Sequence, residues 1–95
     1  MIIAAILSAA CSVYEAQFSG SIKEIVRIEN DPYACHIVLE LDPSRPGHRF
    51  LPHKICPLDI EDVTHKRIYS TQCDFKRNDA ISGIVVKTSE RLELD

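Results

Sequence analysis

The strongest constraint on the fold is a pair of alternating apolar and polar stretches joined by a turn sequence. The first stretch covers residues 13–29 and has one glycine, Gly20, near its middle. The second has an apolar side chain at every odd position: Tyr33, Cys35, Ile37, Leu39 and Leu41. Such alternation is typical of strands with one buried face, and Asn30-Asp31-Pro32 is a turn sequence. The pattern predicts an antiparallel hairpin whose long first strand bends at Gly20.

Within the first strand, Ile22, Val26 and Ile28 are predicted to face the core, although Ile25 breaks the alternation. The rest of the chain predicts shorter elements. These are a proline-rich loop at 42–47, a short strand at 48–51, a short helix at 57–63, a strand at 67–73, a turn at 76–79, and a last strand at 80–87 before a polar tail. No linker or repeat is visible, so residues 12–95 are predicted to form one small β domain.

This order of elements, with a glycine-kinked first strand, resembles the OB-fold. That fold is a five-stranded Greek-key barrel. The resemblance implies a mainly β protein in which the segment 48–51 is the third strand and the helix at 57–63 follows it. It also implies a binding face on strands two and three and their flanking loops, where such barrels bind oligonucleotides or oligosaccharides. An SH3-like barrel and a small α+β sheet are alternatives that fit the same pattern.

The first eleven residues, MIIAAILSAAC, form an apolar run that ends in small residues and a cysteine. This pattern resembles the end of a bacterial lipoprotein signal, which implies a signal or anchor segment at 1–11, lipidation of Cys11 and a place in the cell envelope or periplasm. The chain departs from the pattern at Ser8, where a large aliphatic residue is usual, and in having no Lys or Arg before Lys23. Residues 2–14 also fit one face of an amphipathic helix. The run is too short to span a membrane.

Four cysteines allow three pairings if all are oxidised. Cys35 is predicted to be a small buried hydrophobic residue on the inner face of its strand. Cys56 and Cys73 both lie near predicted loops, so a Cys56–Cys73 disulfide is predicted for an oxidising compartment. In the cytosol all four would be reduced thiols.

The net charge of −3 gives no overall attraction to nucleic acid or to anionic lipid. Residues 43–77 are locally basic, however, with seven Lys or Arg against four acidic residues. The residues at the centre of this segment are candidate ligand-binding residues for an anionic contact: Arg45, His48, Arg49, Phe50 and Lys54.

No catalytic or metal-binding motif is present. Cys35 and His36 are adjacent, which places their side chains on opposite faces of a strand and prevents them from acting together. Zinc sites need closely spaced ligand pairs, and His53-x-x-Cys56 is the one such pair among the histidines and cysteines. The sequence therefore predicts a protein that is not an enzyme and has no metal site and no cofactor.

Two functions remain open at this stage. The first is a small binding or assembly module of the bacterial cell envelope, lipid-anchored or periplasmic, with a protein or glycan partner. The alternative is a cytosolic OB-like module that binds single-stranded nucleic acid through the basic segment and through exposed aromatic residues such as Phe50, Tyr33 and Tyr69. The acidic net charge disfavours the alternative, because phosphate contacts supply most of the affinity for nucleic acid.

Overall fold

The computed structural model describes residues 11–95, so most of the predicted signal segment lies outside the described residues. The described chain forms six strands and one turn of 3-10 helix. In order, they are β1 (Tyr14–Ile28), β2 (Asp31–Glu40), β3 (Arg49–Pro52), the 3-10 turn (Ile60–Asp62), β4 (Arg67–Ser70), β5 (Ala80–Lys87) and β6 (Leu92–Leu94). Within residues 11–95 there is no helix with the length and apolar character needed to cross a membrane.

Five of the strands close into a barrel in the order β1-β2-β4-β6-β5, with β5 returning to β1. All neighbours are antiparallel except β4 and β6, which are parallel. If the five barrel strands alone are numbered along the chain, they follow the order 1-2-3-5-4 around the barrel, and strands three and five are parallel. The prediction of a mainly β, OB-like five-stranded barrel is confirmed.

Two strands were assigned wrongly from the sequence. The predicted third strand at 48–51 exists as β3, but it lies outside the barrel as a sixth strand on the first half of β1. The fifth barrel strand is β6, which the sequence pattern assigned to the polar tail. Its three residues, Leu92 to Leu94, are too few to give a recognisable alternation.

The predicted helix at 57–63 is also wrong in length and in place. Only Ile60–Asp62 is helical, and it lies between barrel strands two and three rather than between three and four. The acidic side chains that suggested a helix start do not cap it, since Asp59 makes no side-chain capping hydrogen bond. Leu58 and Val63 on either side of this turn are almost fully buried and belong to the hydrophobic core.

The glycine kink in β1 is confirmed, and a close approach explains it. The first half of β1 pairs with β3 and β5, while its second half pairs with β2. At the change of partner, a Cβ on Gly20 would lie 2.5 Å from Leu41 Cδ2 and 2.8 Å from the Glu40 carbonyl oxygen. Only glycine allows β1 to pass this close to the end of β2.

A β-bulge explains why Ile25 breaks the alternation. The pairing of β1 with β2 shifts by one residue between Ile22 and Glu24. An extra residue reverses the faces that follow it. As a result, Ile25 pairs with Ile37 and packs against the core, whereas Val26, which was predicted to face inward, pairs with His36 on the outer face.

Both disulfides of the structure differ from the predicted Cys56–Cys73 pairing, which is wrong. Cys11 is bonded to Cys56, and Cys35 to Cys73. The register of the barrel gives the reason: Cys35 in β2 lies opposite Ser70 in β4, so the chain leaving β4 brings Cys73 back to Cys35. Among residues 11–95 no cysteine is free.

The two disulfides also affect the predictions of a lipid on Cys11 and of a cell-envelope location. The predicted lipid on Cys11 would need the sulfur atom that is bonded to Cys56 in the structure, so lipidation and this disulfide exclude each other. Structural disulfides are typical of proteins that fold in an oxidising environment outside the cytosol.

Candidate ligand-binding face

The topology identifies which surface corresponds to the binding face of an OB-like barrel. Barrel strands two and three are β2 and β4, and such barrels bind ligands on the outer face of these strands and on adjoining loops. Inward side chains of β2 and β4, such as Ile37 and Ile68, belong to the core. Their neighbours in sequence, His36 and Tyr69, therefore face outward.

A continuous row of side chains crosses this surface. His36 lies opposite Tyr69 in the antiparallel β2–β4 pair, and Tyr69 lies beside Glu93 in the parallel β4–β6 pair. Arg67, two residues before Tyr69, is exposed on the same face of β4. Together with Arg91 of the β5–β6 loop, these side chains are termed the β2–β4 face: His36, Arg67, Tyr69, Arg91 and Glu93.

At the centre of the β2–β4 face, the guanidinium of Arg91 lies over the ring of Tyr69. The Arg91 Cζ atom is 3.8 Å from the ring centroid, a cation–π distance. Arg91 Nη2 also donates a hydrogen bond to Glu93 Oε1 at 3.4 Å. The Arg91 side chain is still 49% exposed, so a positioned guanidinium faces solvent above an aromatic ring.

A tight turn places Arg91 above Tyr69. The hydroxyl of Thr88 accepts hydrogen bonds from the N–H groups of Glu90, at 3.2 Å, and Arg91, at 3.3 Å. The Thr88 N–H in turn donates to the Arg91 carbonyl at 3.0 Å. Threonine is suited to this place because its hydroxyl satisfies backbone groups within a turn. The loop that corresponds to the one between strands four and five of an OB barrel is therefore short and fixed.

The hairpin between β1 and β2 has another exposed aromatic side chain. Tyr33 is 84% exposed, although the alternation predicted that it would face the core. The β1–β2 pairing is irregular beyond Cys35, so the inward face of β2 ends before Tyr33. Tyr33 and His36 are three residues apart, so the alternation of β2 does not place Tyr33 on the same face as His36. Asp31 Oδ1 accepts the Tyr33 N–H at 3.1 Å and fixes the turn.

The β2–β4 face combines an aromatic ring, hydrogen-bond donors and a carboxylate, without a metal cluster or an aligned nucleophile. Residues 11–95 contain no group of three or more His, Cys, Asp or Glu side chains placed to bind a metal ion. An arrangement of this kind can stack against a flat ligand surface and hydrogen-bond to its polar groups.

The five basic-segment residues predicted as ligand-binding lie elsewhere, in the segment between β2 and β4, and they do not form one cluster. Arg45 forms an ion pair with Glu40. His48 Nδ1 accepts the Asp42 N–H at 3.0 Å. Phe50 is half-buried and packs against the core. Arg49 and Lys54 are exposed.

Of these five, Arg49 lines a groove on the outer surface where β3, β1 and β5 run side by side. The groove has a volume of about 310 Å³, and its lining includes Gln17, Ser19, Leu51 and Ser82. The hydroxyls of Ser19 and Ser82 are hydrogen-bonded to each other at 2.9 Å, while Gln17 and Arg49 also line the groove.

Of the β2–β4 face, sequence reasoning named Tyr69 as an exposed aromatic and His36 as outward-facing, but it missed Arg91 and Glu93. The sequence pattern did not indicate β6, so both residues were assigned to a polar tail. None of the family models, curated proteins or solved structures compared with this chain matches it.

Proposed function

We propose that this protein is an exported, non-catalytic module of the cell envelope that binds a glycan on its β2–β4 face. The observation on which the proposal depends is the Tyr69–Arg91 pair, with its guanidinium 3.8 Å above the ring. Export is supported by two disulfides and by the apolar run at residues 1–10, which in this proposal is a signal segment.

A glycan suits the chemistry of this face. Sugar rings have apolar C–H surfaces that pack on aromatic rings, and hydroxyl groups that both donate and accept hydrogen bonds. Arg91 covers one face of the half-exposed Tyr69 ring, so a sugar would pack on the stacked Arg91–Tyr69 pair rather than on a bare ring. Arg91 supplies donors, and Glu93 supplies an acceptor. Because Arg91 is already oriented by Tyr69 and Glu93, it loses little conformational freedom when a ligand binds.

Single-stranded nucleic acid is disfavoured by the net charge of the chain, which is −3. On the β2–β4 face, one of the two arginines, Arg91, is partly compensated by Glu93. Nucleic-acid affinity depends mainly on uncompensated cations that replace counterions on phosphates. Tyr33 and Tyr69 would nevertheless allow base stacking, so an oligonucleotide is the informative competitor.

The test measures binding of the oxidised protein to two probes by calorimetry. One is a neutral oligosaccharide of β-1,4-linked N-acetylglucosamine, and the other is a twelve-residue oligothymidylate at low salt. We expect the oligosaccharide to bind, and Tyr69→Ala to weaken binding about five-fold or more, with the roughly 1–3 kcal/mol of base–aromatic stacking as the scale for one ring contact. Arg49→Ala, an exposed arginine outside the face, is the matched control and should bind like the parent protein.

Two results would contradict this function. Oligothymidylate binding that falls steeply with salt, without oligosaccharide binding, would favour the nucleic-acid module. Equal losses in Tyr69→Ala and Arg49→Ala would show that binding does not use the β2–β4 face.

A further inference from the structure

The outer surface of β3, β1 and β5 has two neighbouring rows of side chains. Phe18 of β1 is buried in the core, so Gln17 and Ser19 on either side of it face outward. In the strand register, Ser19 lies between Arg49 of β3 and Ser82 of β5, which makes one polar row. In the second row, Gln17 lies between two aliphatic side chains of the same strands, Leu51 and Ile84.

The two rows line the groove of about 310 Å³ on this surface, a volume at the lower end of small-ligand sites. Serine side chains are short, so Ser19 and Ser82 leave space between the longer side chains around them. The rows are two residues apart, about 7 Å along the strands. These side chains are termed the β3–β1–β5 groove: Gln17, Ser19, Arg49, Leu51, Ser82 and Ile84.

Arg49 is the charged residue of this groove, since every other lining residue is uncharged. Within residues 11–95 the ion pairs are Arg45 with Glu40 and Arg91 with Glu93, so the Arg49 guanidinium has no carboxylate partner there. Glu40 lies two register positions from Arg49 along β1, but Arg45 already compensates its charge. An uncompensated positive charge therefore lines the groove, which favours an anionic ligand.

The two serines add a hydrogen-bond donor beside this guanidinium. Ser19 Oγ and Ser82 Oγ are 2.9 Å apart, so one hydroxyl donates to the other. The accepting hydroxyl keeps its own hydrogen, which can donate to a ligand oxygen. A guanidinium and a hydroxyl hydrogen in one row suit a carboxylate, whose two oxygens only accept hydrogen bonds.

The second row suits an apolar group attached to that carboxylate. Leu51 is 47% exposed, and it lines the groove together with Ile84. We propose that the β3–β1–β5 groove binds a small carboxylate with an apolar body. The carboxylate contacts Arg49 and the serine pair, and the apolar body packs between Leu51 and Ile84.

The test is a nuclear magnetic resonance titration of the oxidised, isotope-labelled chain with octanoate and, separately, with its uncharged analogue octanamide. Octanoate should shift the amide signals of Ser19, Leu51 and Ser82 to saturation. It should bind about five-fold more tightly than octanamide, which is the scale of one exposed ion pair. Arg49→Gln should remove this preference, whereas Leu51→Ser should weaken both ligands alike.

Two variants are matched controls, and both should bind octanoate like the parent chain. Arg67→Gln removes an exposed arginine of the β2–β4 face, and Ile55→Ser removes an exposed aliphatic side chain outside the groove lining. Melting curves verify that each variant folds.

Three results would overturn the proposal. They are the absence of a saturable shift, equal affinities for octanoate and octanamide, and equal losses of octanoate binding in Arg49→Gln and Arg67→Gln. The groove shares no residue with the β2–β4 face, so Arg49→Gln should keep oligosaccharide binding. Carboxylate binding and glycan binding can therefore fail independently.

Discussion

The barrel and the segment inserted between β2 and β4 each have one disulfide, and the two bonds differ in their surroundings. Cys35–Cys73 joins a barrel strand to the β4–β5 loop, and both residues contact the core, where Cys35 is 3% exposed. Cys11–Cys56 joins the start of the described chain to the insertion at the surface. The sequence separations, 38 and 45 residues, are nearly equal. Any large difference in stabilisation must therefore come from the folded state.

The order of the cysteines sharpens this comparison. The first pairs with the third and the second with the fourth, so the two closed loops overlap. By loop-closure entropy alone, each bond would stabilise the fold by about 4 kcal/mol. Removing a bond also lets residues move more freely in the folded state, and this gain in conformational entropy offsets part of the lost loop-closure stabilisation. The gain in entropy is small where the residues stay packed in a core and larger where they lie at a chain end.

The largest effect is expected from Cys35→Ala combined with Cys73→Ala. The free energy of unfolding should fall by about 4 kcal/mol, because the buried Cys35 site gains little freedom when the bond is lost. Urea denaturation monitored by circular dichroism measures it. Where this variant does not fold, urea denaturation of the Cys11→Ala and Cys56→Ala variant with and without dithiothreitol isolates the Cys35–Cys73 bond, which is the one disulfide left in it. A loss below about 1 kcal/mol would contradict the assignment of this bond to the core.

The second-largest effect is expected at the junction of barrel and insertion, in Gly20→Ala. The added Cβ would overlap Leu41 Cδ2 at 2.5 Å and the Glu40 carbonyl oxygen at 2.8 Å, so backbone must shift. We expect a loss of about 1–3 kcal/mol in the free energy of unfolding. Gly83→Ala is the matched control, since its Cβ would meet no atom closer than 3.6 Å. Equal effects in the two variants would show that the close approach at Gly20 is unimportant.

The barrel was more predictable from the sequence than the insertion. The β1–β2 hairpin and the kink at Gly20 follow from side-chain alternation and glycine chemistry, which are local signals. The partner of each later strand is not local: β3 has strand character, yet it pairs outside the barrel, while three-residue β6 completes it. The disulfides depend on that pairing, because the β2–β4 register brings Cys73 to Cys35.

The candidate site was predictable only in part for the same reason. Tyr69 is recognisable as an aromatic on a strand with an outward face. Its contact with Arg91 depends on the parallel β4–β6 pair, whose strands are separated by more than twenty residues. Long-range pairing of this kind leaves no spacing pattern in the sequence, so Arg91 and Glu93 were missed.

A smaller effect is expected from Cys11→Ala combined with Cys56→Ala. The loop-closure contribution is again about 4 kcal/mol, but residues 11–13 are no longer tethered and regain backbone freedom in the folded state. We expect a net loss of about 1 kcal/mol by urea denaturation. Hydrogen exchange should show faster exchange at Glu15 and His53, whose N–H groups bond near the disulfide, and no change in β4. A loss as large as that of the Cys35 and Cys73 variant would remove the distinction between the two bonds.

The smallest effect is expected where the insertion leaves β2, at Asp42. Hydrogen bonds from Ser44, through its hydroxyl at 2.6 Å and its N–H at 3.0 Å, lower the pKa of the Asp42 carboxyl below its ordinary value of 3.8. A lowered pKa in the folded state stabilises the fold above the unfolded-state pKa, and this contribution is lost as the pH falls through the folded-state pKa. Asp42→Asn should therefore lower the Tm slightly at pH 6 and not at pH 2, with Asp74→Asn as an exposed control. A difference that persists at pH 2 would show that the carboxylate charge is not what stabilises this turn.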